Sequence, residues 1–207
     1  MKTRSSIRTT LLIFSFVLIL VGLWFSTTNA YTFLKGYMLF QTGQTQKVKS
    51  SEMLSKPHIK SSDQDILYSI RPGKGENIGN LLIPKLNATL PIFHGTDEEE
   101  LERGVGHYEK SVLPGEHDNS VLSGHRDTVF RKLGEVGKGD KLVVETSAGT
   151  FTYKIRQVRI VDKDDRTVIV PKPRATLTVS TCYPFDFIGA SPQRYILVAD
   201  LISQKLT

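Results

Sequence analysis

The chain has 207 residues, 39% of them apolar and 9% aromatic, which is enough for one ordinary domain with a core and some additional chain. Its net charge of +6 comes from scattered basic residues, with no arginine-rich arm or aromatic-interleaved basic patch; this argues against a nucleic-acid partner, while an anionic membrane or cell-wall surface accounts for the charge equally well. Cys182 is the only cysteine, which excludes an internal disulfide and leaves either a small buried side chain or a reactive thiol.

Residues 1–8 carry Lys2, Arg4 and Arg8 and no acid, and residues 9–34 carry no charge. Leu11 to Phe25 is almost wholly apolar, with Trp24 inside the run and Tyr31 and Phe33 near its far end. This composition predicts a transmembrane signal anchor over 9–34, with residues 1–8 cytoplasmic and the rest of the chain outside. A cleaved signal peptide is the competing reading, but Thr28-Asn29-Ala30 is a poor cleavage site and the uncharged run continues past it. Residues 35–76 are polar, rich in Gln, Lys and Ser, and read as a stalk.

Residues 77–207 read as one β-rich domain. Strands are expected over Asn77 to Pro84 and Leu86 to His94. A short helix follows over Asp97 to Arg103, with Thr96 as its N-cap and acids in its first turn. Gly104 to Tyr108 leads out of that helix. Further strands are expected at Ser120 to His125, at Lys141 to Thr146 and at Gly149 to Ile160, the last two joined as a hairpin. Val129 to Leu133 reads as a helical turn. Asp162 to Pro173 is a charged connection in which Thr167 to Val170 is a candidate short strand. Two more strands close the chain, one ending at Cys182 before Pro184 and one opening at Arg194. Seven or eight strands with little helix predict a closed or nearly closed barrel.

Cys182 lies where a β-branched strand, Thr176 to Thr181, opens into a loop, and Arg194 is placed across the mouth of that hairpin. A thiol attacks a carbonyl as thiolate, and it needs a proton-exchanging histidine and an oxyanion donor. Of the five histidines, His58 falls in the stalk and His117 in a Pro-Gly turn, while His94 and His107 flank the acidic helix. His125 ends its own strand as Cys182 does, so neighbouring strands would bring both to one rim.

With His125, Cys182 and Arg194 taken together, the sequence resembles the sortases, membrane-anchored cysteine transpeptidases of Gram-positive bacteria. Thr178-Val179-Ser180-Thr181-Cys182 matches the family's threonine-leucine-x-threonine-cysteine signature with valine for leucine, Gly124-His125 matches its histidine, and Arg194 its arginine. The resemblance covers Gly79 to Leu201. Gly104 to Tyr108 and Ser123 to Thr128 look most like class D members.

The resemblance implies a closed eight-stranded β-barrel and a catalytic domain over 77–207. It also implies cleavage of a Leu-Pro-x-Thr-Ala or Leu-Pro-x-Thr-Gly sorting signal after threonine. The resulting Cys182 thioester would pass to an amine of a cell-wall precursor (lipid II), anchoring surface proteins to peptidoglycan. His125 is implied as general acid and then base, and Arg194 as holder of the motif backbone and oxyanion. Thr181 is a further candidate at the oxyanion, Ser123 a further substrate contact, and Val168 and Val170 an apolar wall for the motif. No cofactor is implied. Some sortases bind calcium, but the acids Asp97 to Glu102 point in different directions on a helix and read as a solvated turn, so no metal is assigned. A papain-like protease would place its cysteine before its histidine, the reverse of the order here. A hydrolase using the same thioester, and a β-barrel binding module with a buried Cys182, remain the alternatives.

Overall fold

The computed structural model describes residues 14–24, 26–27, 67–186 and 189–207. The chain divides into two compact units, Met1–Met38 and Leu39–Thr207. In the first, residues 14–24 and 26–27 are helical, and Phe14, Phe16 and Trp24 are exposed. Among the described residues, no helix is long and apolar enough to cross a membrane; most of the expected anchor beyond this stretch, and residues 35–66 of the expected stalk, lie outside the described residues.

The second unit is a closed barrel of eight strands. They are β1 (Asn77–Ile83), β2 (Ala88–His94), β3 (Val105–His107), β4 (Asn119–Ser123), β5 (Lys141–Thr146), β6 (Gly149–Asp162), β7 (Thr176–Tyr183) and β8 (Gln193–Leu206). Around the barrel the order is β1-β2-β3-β4-β7-β8-β6-β5. The β2–β3 and β4–β7 pairs are parallel, and the remaining pairs are antiparallel. The period-2 alternation expected of half-buried strands is plain in β6, where Phe151, Tyr153 and Ile155 fill the core while Thr152, Lys154 and Arg156 point away. These join Leu81, Ile83, Leu90, Ile92, Leu122, Leu142, Val144, Leu177, Val179 and Leu197 in one cluster inside the barrel. Burying each such side chain contributes about 1.5–3 kcal/mol before chain entropy is subtracted.

Three expectations change in detail. The eighth strand is β3, not Thr167 to Val170. The latter segment turns instead: Asp165 accepts hydrogen bonds from the Thr167 N–H (2.7 Å) and hydroxyl (2.6 Å), and Val168 sinks against Val161, Ile196 and Val198. The helix α1 (Glu98–Arg103) is capped by Asp97 rather than Thr96, in a capping box where the Glu100 carboxylate accepts the Asp97 N–H at 3.1 Å. The packed domain also begins before residue 77. Tyr68 is buried and donates to the Pro114 carbonyl at 2.6 Å, and Arg71 forms a two-point pair with Glu116 at 2.7 and 2.8 Å.

His94 and His107 are register partners on β2 and β3, with stacked rings and Nδ1 atoms 3.0 Å apart. His107 is fully buried and its Nε2 donates to the Val112 carbonyl at 2.9 Å. Burial pushes its pKa down from 6.5 to about 4. The unfolded chain therefore takes up a proton at this residue that the folded chain refuses. Stability from this site is complete above pH 6.5 and is lost progressively as pH falls to about 4, by about 3 kcal/mol in all. Urea midpoints should drop across that window, and His107→Gln should flatten the slope whatever it does to stability at pH 7. An unchanged slope in the variant would assign the acid sensitivity elsewhere.

Candidate active site

Strand register assembles the site. The antiparallel β7–β8 pair sets Cys182 directly across from Arg194, so both side chains lie on the same face. The face is the outer one. Leu177 and Val179 of β7 and Tyr195, Leu197 and Ala199 of β8 point into the barrel core, and Cys182 and Arg194 fall in the opposite phase. The parallel β4–β7 pair ends with Ser123 opposite Ser180. The Gly124 N–H still donates to the Ser180 carbonyl at 3.2 Å, and Thr181 Oγ1 donates to the Gly124 carbonyl at 2.7 Å. These bonds carry the chain past β4 alongside the end of β7, and His125 and Cys182 line the same cleft.

His125 thus stands just past β4 rather than at its last residue. Glycine is required before it by close approach: a Cβ on Gly124 would lie 2.7 Å from the Phe130 ring and 2.8 Å from Val129. Those two side chains are core residues, so they cannot retreat without leaving a void.

His125, Cys182 and Arg194 line one cleft of about 560 Å³, together with Arg126, Asp127, Lys163 and Gly189 to Pro192. Cys182 is a free, half-buried cysteine, and β7 holds its backbone. His125 Nε2 lies 3.3 Å from a carboxylate oxygen of Glu98 at the start of α1. Arg194 Nη1 donates to the carbonyls of Ser191 (3.2 Å) and Gln193 (2.9 Å), which fixes the guanidinium at the cleft edge. A thiol, an imidazole and a fixed guanidinium on one open cleft can perform acyl transfer through sulfur: a nucleophile, a proton carrier and an oxyanion donor.

The other sequence candidates are distributed around this cleft. Thr181 is buried, and its hydroxyl ties β7 to the His125 loop. Ser123 is half-buried at the end of β4. Val168 and Val170 do not line the cleft. Val168 is buried against the outer face of β6 and β8, and the Val170 carbonyl accepts from Asn119 Nδ2 at 3.1 Å. Sequence reasoning missed Glu98, Lys163, Arg126 and Ser191. Only the adjacency of Arg126 to His125 was visible, and its partners come from a distant loop.

Comparison with known proteins agrees with this geometry. Residues 81–202 match the sortase domain family. Sortase D of Bacillus subtilis (strain 168) is 52% identical over 130 residues, which cover 62% of this chain and 66% of that protein. Among solved structures, a Clostridium perfringens sortase D5 transpeptidase superposes with a TM-score of 0.59 at 28% identity, covering 64% of this chain and 83% of that one. The SrtA sortase of Actinomyces oris gives 0.61 at 28% identity, covering 66% and 86%. The barrel, the cleft that unites His125, Cys182 and Arg194, and a family match over more than half of the sequence lead to one conclusion: this chain belongs to the sortase family.

Proposed function

We propose that the protein is a membrane-anchored cysteine transpeptidase that fixes surface proteins to the cell wall of a Gram-positive bacterium. The observation that carries this reading is the Cys182–Arg194 cross-strand pair, with His125 lining the same cleft. Cys182 Sγ attacks the threonine carbonyl of a sorting signal of the Leu-Pro-x-Thr-Ala or Leu-Pro-x-Thr-Gly type. The bond after threonine breaks, His125 gives the leaving amine its proton, and a thioester remains on Cys182. An amine of a peptidoglycan precursor (lipid II) then attacks the thioester, His125 takes its proton, and the thiolate leaves. Arg194 bears on the motif backbone and on the oxyanion of each tetrahedral intermediate. The backbone at Thr181 bears on the oxyanion, and Ser123 contacts the substrate from the end of β4. Val168 backs the motif's leucine and proline beyond the cleft: with Val161, Ile196 and Val198 it forms an apolar patch on the outer face of the sheet, and Ile196 is two residues from Arg194 on the same strand face. The anchor over 9–34 holds the enzyme on the membrane, with residues 1–8 inside and a stalk between anchor and barrel.

The test mixes the full-length protein in detergent with quenched peptides carrying Leu-Pro-x-Thr-Ala or Leu-Pro-x-Thr-Gly, with and without an added amine, followed by mass spectrometry. A thioester on Cys182 that passes to the amine is the expected result, with the alanine motif preferred. A thioester lost only to water would reduce the activity to hydrolysis. No adduct, with a thiol that resists labelling until the protein unfolds, would leave a binding module.

A further inference from the structure

Arg126 follows His125 directly and is buried: its side chain is 4% exposed. Three of its guanidinium hydrogen bonds go to neutral oxygens. Nη1 donates to the Pro184 carbonyl at 2.8 Å and to the Ser191 hydroxyl, and Nη2 donates to the Gly189 carbonyl at 3.0 Å. Its acidic neighbour, Asp127, approaches Nε only to 3.4 Å, and the Asp127 side chain is 69% exposed. A buried guanidinium is costly to desolvate unless its donors are satisfied, and here Nη1 and Nη2 meet fixed acceptors of one loop. Nη1 and Nη2 both reach into the connection between β7 and β8, the segment that separates Cys182 from Arg194.

Ser191 makes that arrangement directional. Its hydroxyl accepts from Arg126, and its carbonyl accepts from Arg194 Nη1 at 3.2 Å. Ser191 is itself buried. One residue therefore sits between two guanidinium groups, one on the histidine side of the cleft and one on the arginine side. The planar fork of arginine holds several acceptors in fixed relative positions, which a lysine cannot do.

We propose that Arg126 is a positioning residue of this site, acting through Ser191 to fix where the Arg194 guanidinium stands beside Cys182. The inference rests on the transpeptidase reading for its role in turnover, but not for its geometry. Arg126 touches neither the thiol nor the imidazole through any of these bonds; it locks the loop that carries the partner of Arg194. The His125 loop and the Arg194 strand, distant in sequence, are thereby set relative to one another by one side chain.

A double-mutant cycle on the full-length protein tests this with two readouts. The first is acyl-enzyme formation with the better sorting peptide. Arg126→Lys should lower kcat by about tenfold with KM little changed, and the same substitution on an Arg194→Gln background should cost less than about twofold, since the group it positions is gone. The second readout needs no turnover: the rate of Cys182 alkylation by iodoacetate relative to neutral iodoacetamide, which reports a cation placed near the thiol. Arg126→Lys should lower that ratio as Arg194→Gln does, and combining them should lower it no further. Losses that multiply in both readouts would make Arg126 a loop staple with no bearing on Arg194. If Arg126→Lys does not fold, Ser191→Ala enters the cycle in its place; it deletes the hydroxyl and keeps the carbonyl, and independence from Arg194→Gln would equally overturn the proposal. A wild-type protein that forms no thioester would remove the transpeptidase reading, and the alkylation cycle would still decide the positioning.

Discussion

Cys182→Ala is expected to abolish thioester formation and peptide cleavage while leaving the fold intact. Both halves follow from where the residue lies. Cys182 is next to last in β7, and its backbone stays in register with Arg194 whatever side chain it bears. The side chain is half-buried on the outer face, so replacing SH by H opens no cavity in the barrel core, and the stability change should stay within about 1 kcal/mol. The chemistry has no substitute. Among the described residues that line the cleft, Ser191 is the only other one bearing a hydroxyl or thiol, and its hydroxyl is engaged by Arg126. His125 and Arg194 alone can polarise a peptide carbonyl but cannot hold the acyl group. The measurement pairs intact-protein mass spectrometry after peptide incubation with a thermal melt of the same sample. An unchanged melt with no adduct is the expected result; retained turnover would take the thiol out of the mechanism.

The same placement explains what the sequence could and could not disclose. The Cys182–Arg194 pair was legible because its two strands are consecutive, and a hairpin makes cross-strand partners of residues on either side of its loop. His125 was legible through Gly124, whose lack of a side chain admits Phe130 and Val129. β3 was not legible. It has three residues, one of them Gly106, which is too short for a period of two to show. Its place in the barrel comes from parallel pairing with β2 and antiparallel pairing with β4. Thr167 to Val170 has the β-branched composition of a strand, yet Asp165 draws the Thr167 backbone into a turn and the outer face of β8 draws in Val168, so tertiary contacts override propensity. The Asp97 cap was one residue from the reading because threonine and aspartate are both good caps, and only the reciprocal bond from Glu100 decides between them. Arg126 and Lys163 reach the cleft from two different connections, and Glu98 meets His125 from the start of α1; no local pattern announces a contact that only the closed barrel creates.

Arg194→Lys should lose most of the activity although it keeps the charge. Nη1 of Arg194 is already engaged by two backbone carbonyls, those of Ser191 and Gln193, so the group is anchored through one nitrogen and can donate from its others. Lysine has a single nitrogen. If that nitrogen keeps the anchor, its three hydrogens must serve both loop carbonyls and the incoming oxyanion from one point; if it turns to the substrate, the carbonyls lose their donor. Either way the oxyanion donor is no longer held in advance. Removal of one such donor costs about 10²–10³ in rate where it acts in the transition state. The loss should fall on kcat/KM for the peptide, with the melting temperature close to that of the wild type, because Arg194 lies at the cleft edge and not in the barrel core. Retention of the charge also predicts that Lys at 194 will preserve part of the preference of Cys182 for an anionic alkylating reagent, where Gln will not. A near-normal kcat/KM in Arg194→Lys would show that the fork geometry is immaterial and that Arg194 contributes only a positive charge to the surface beside the thiol.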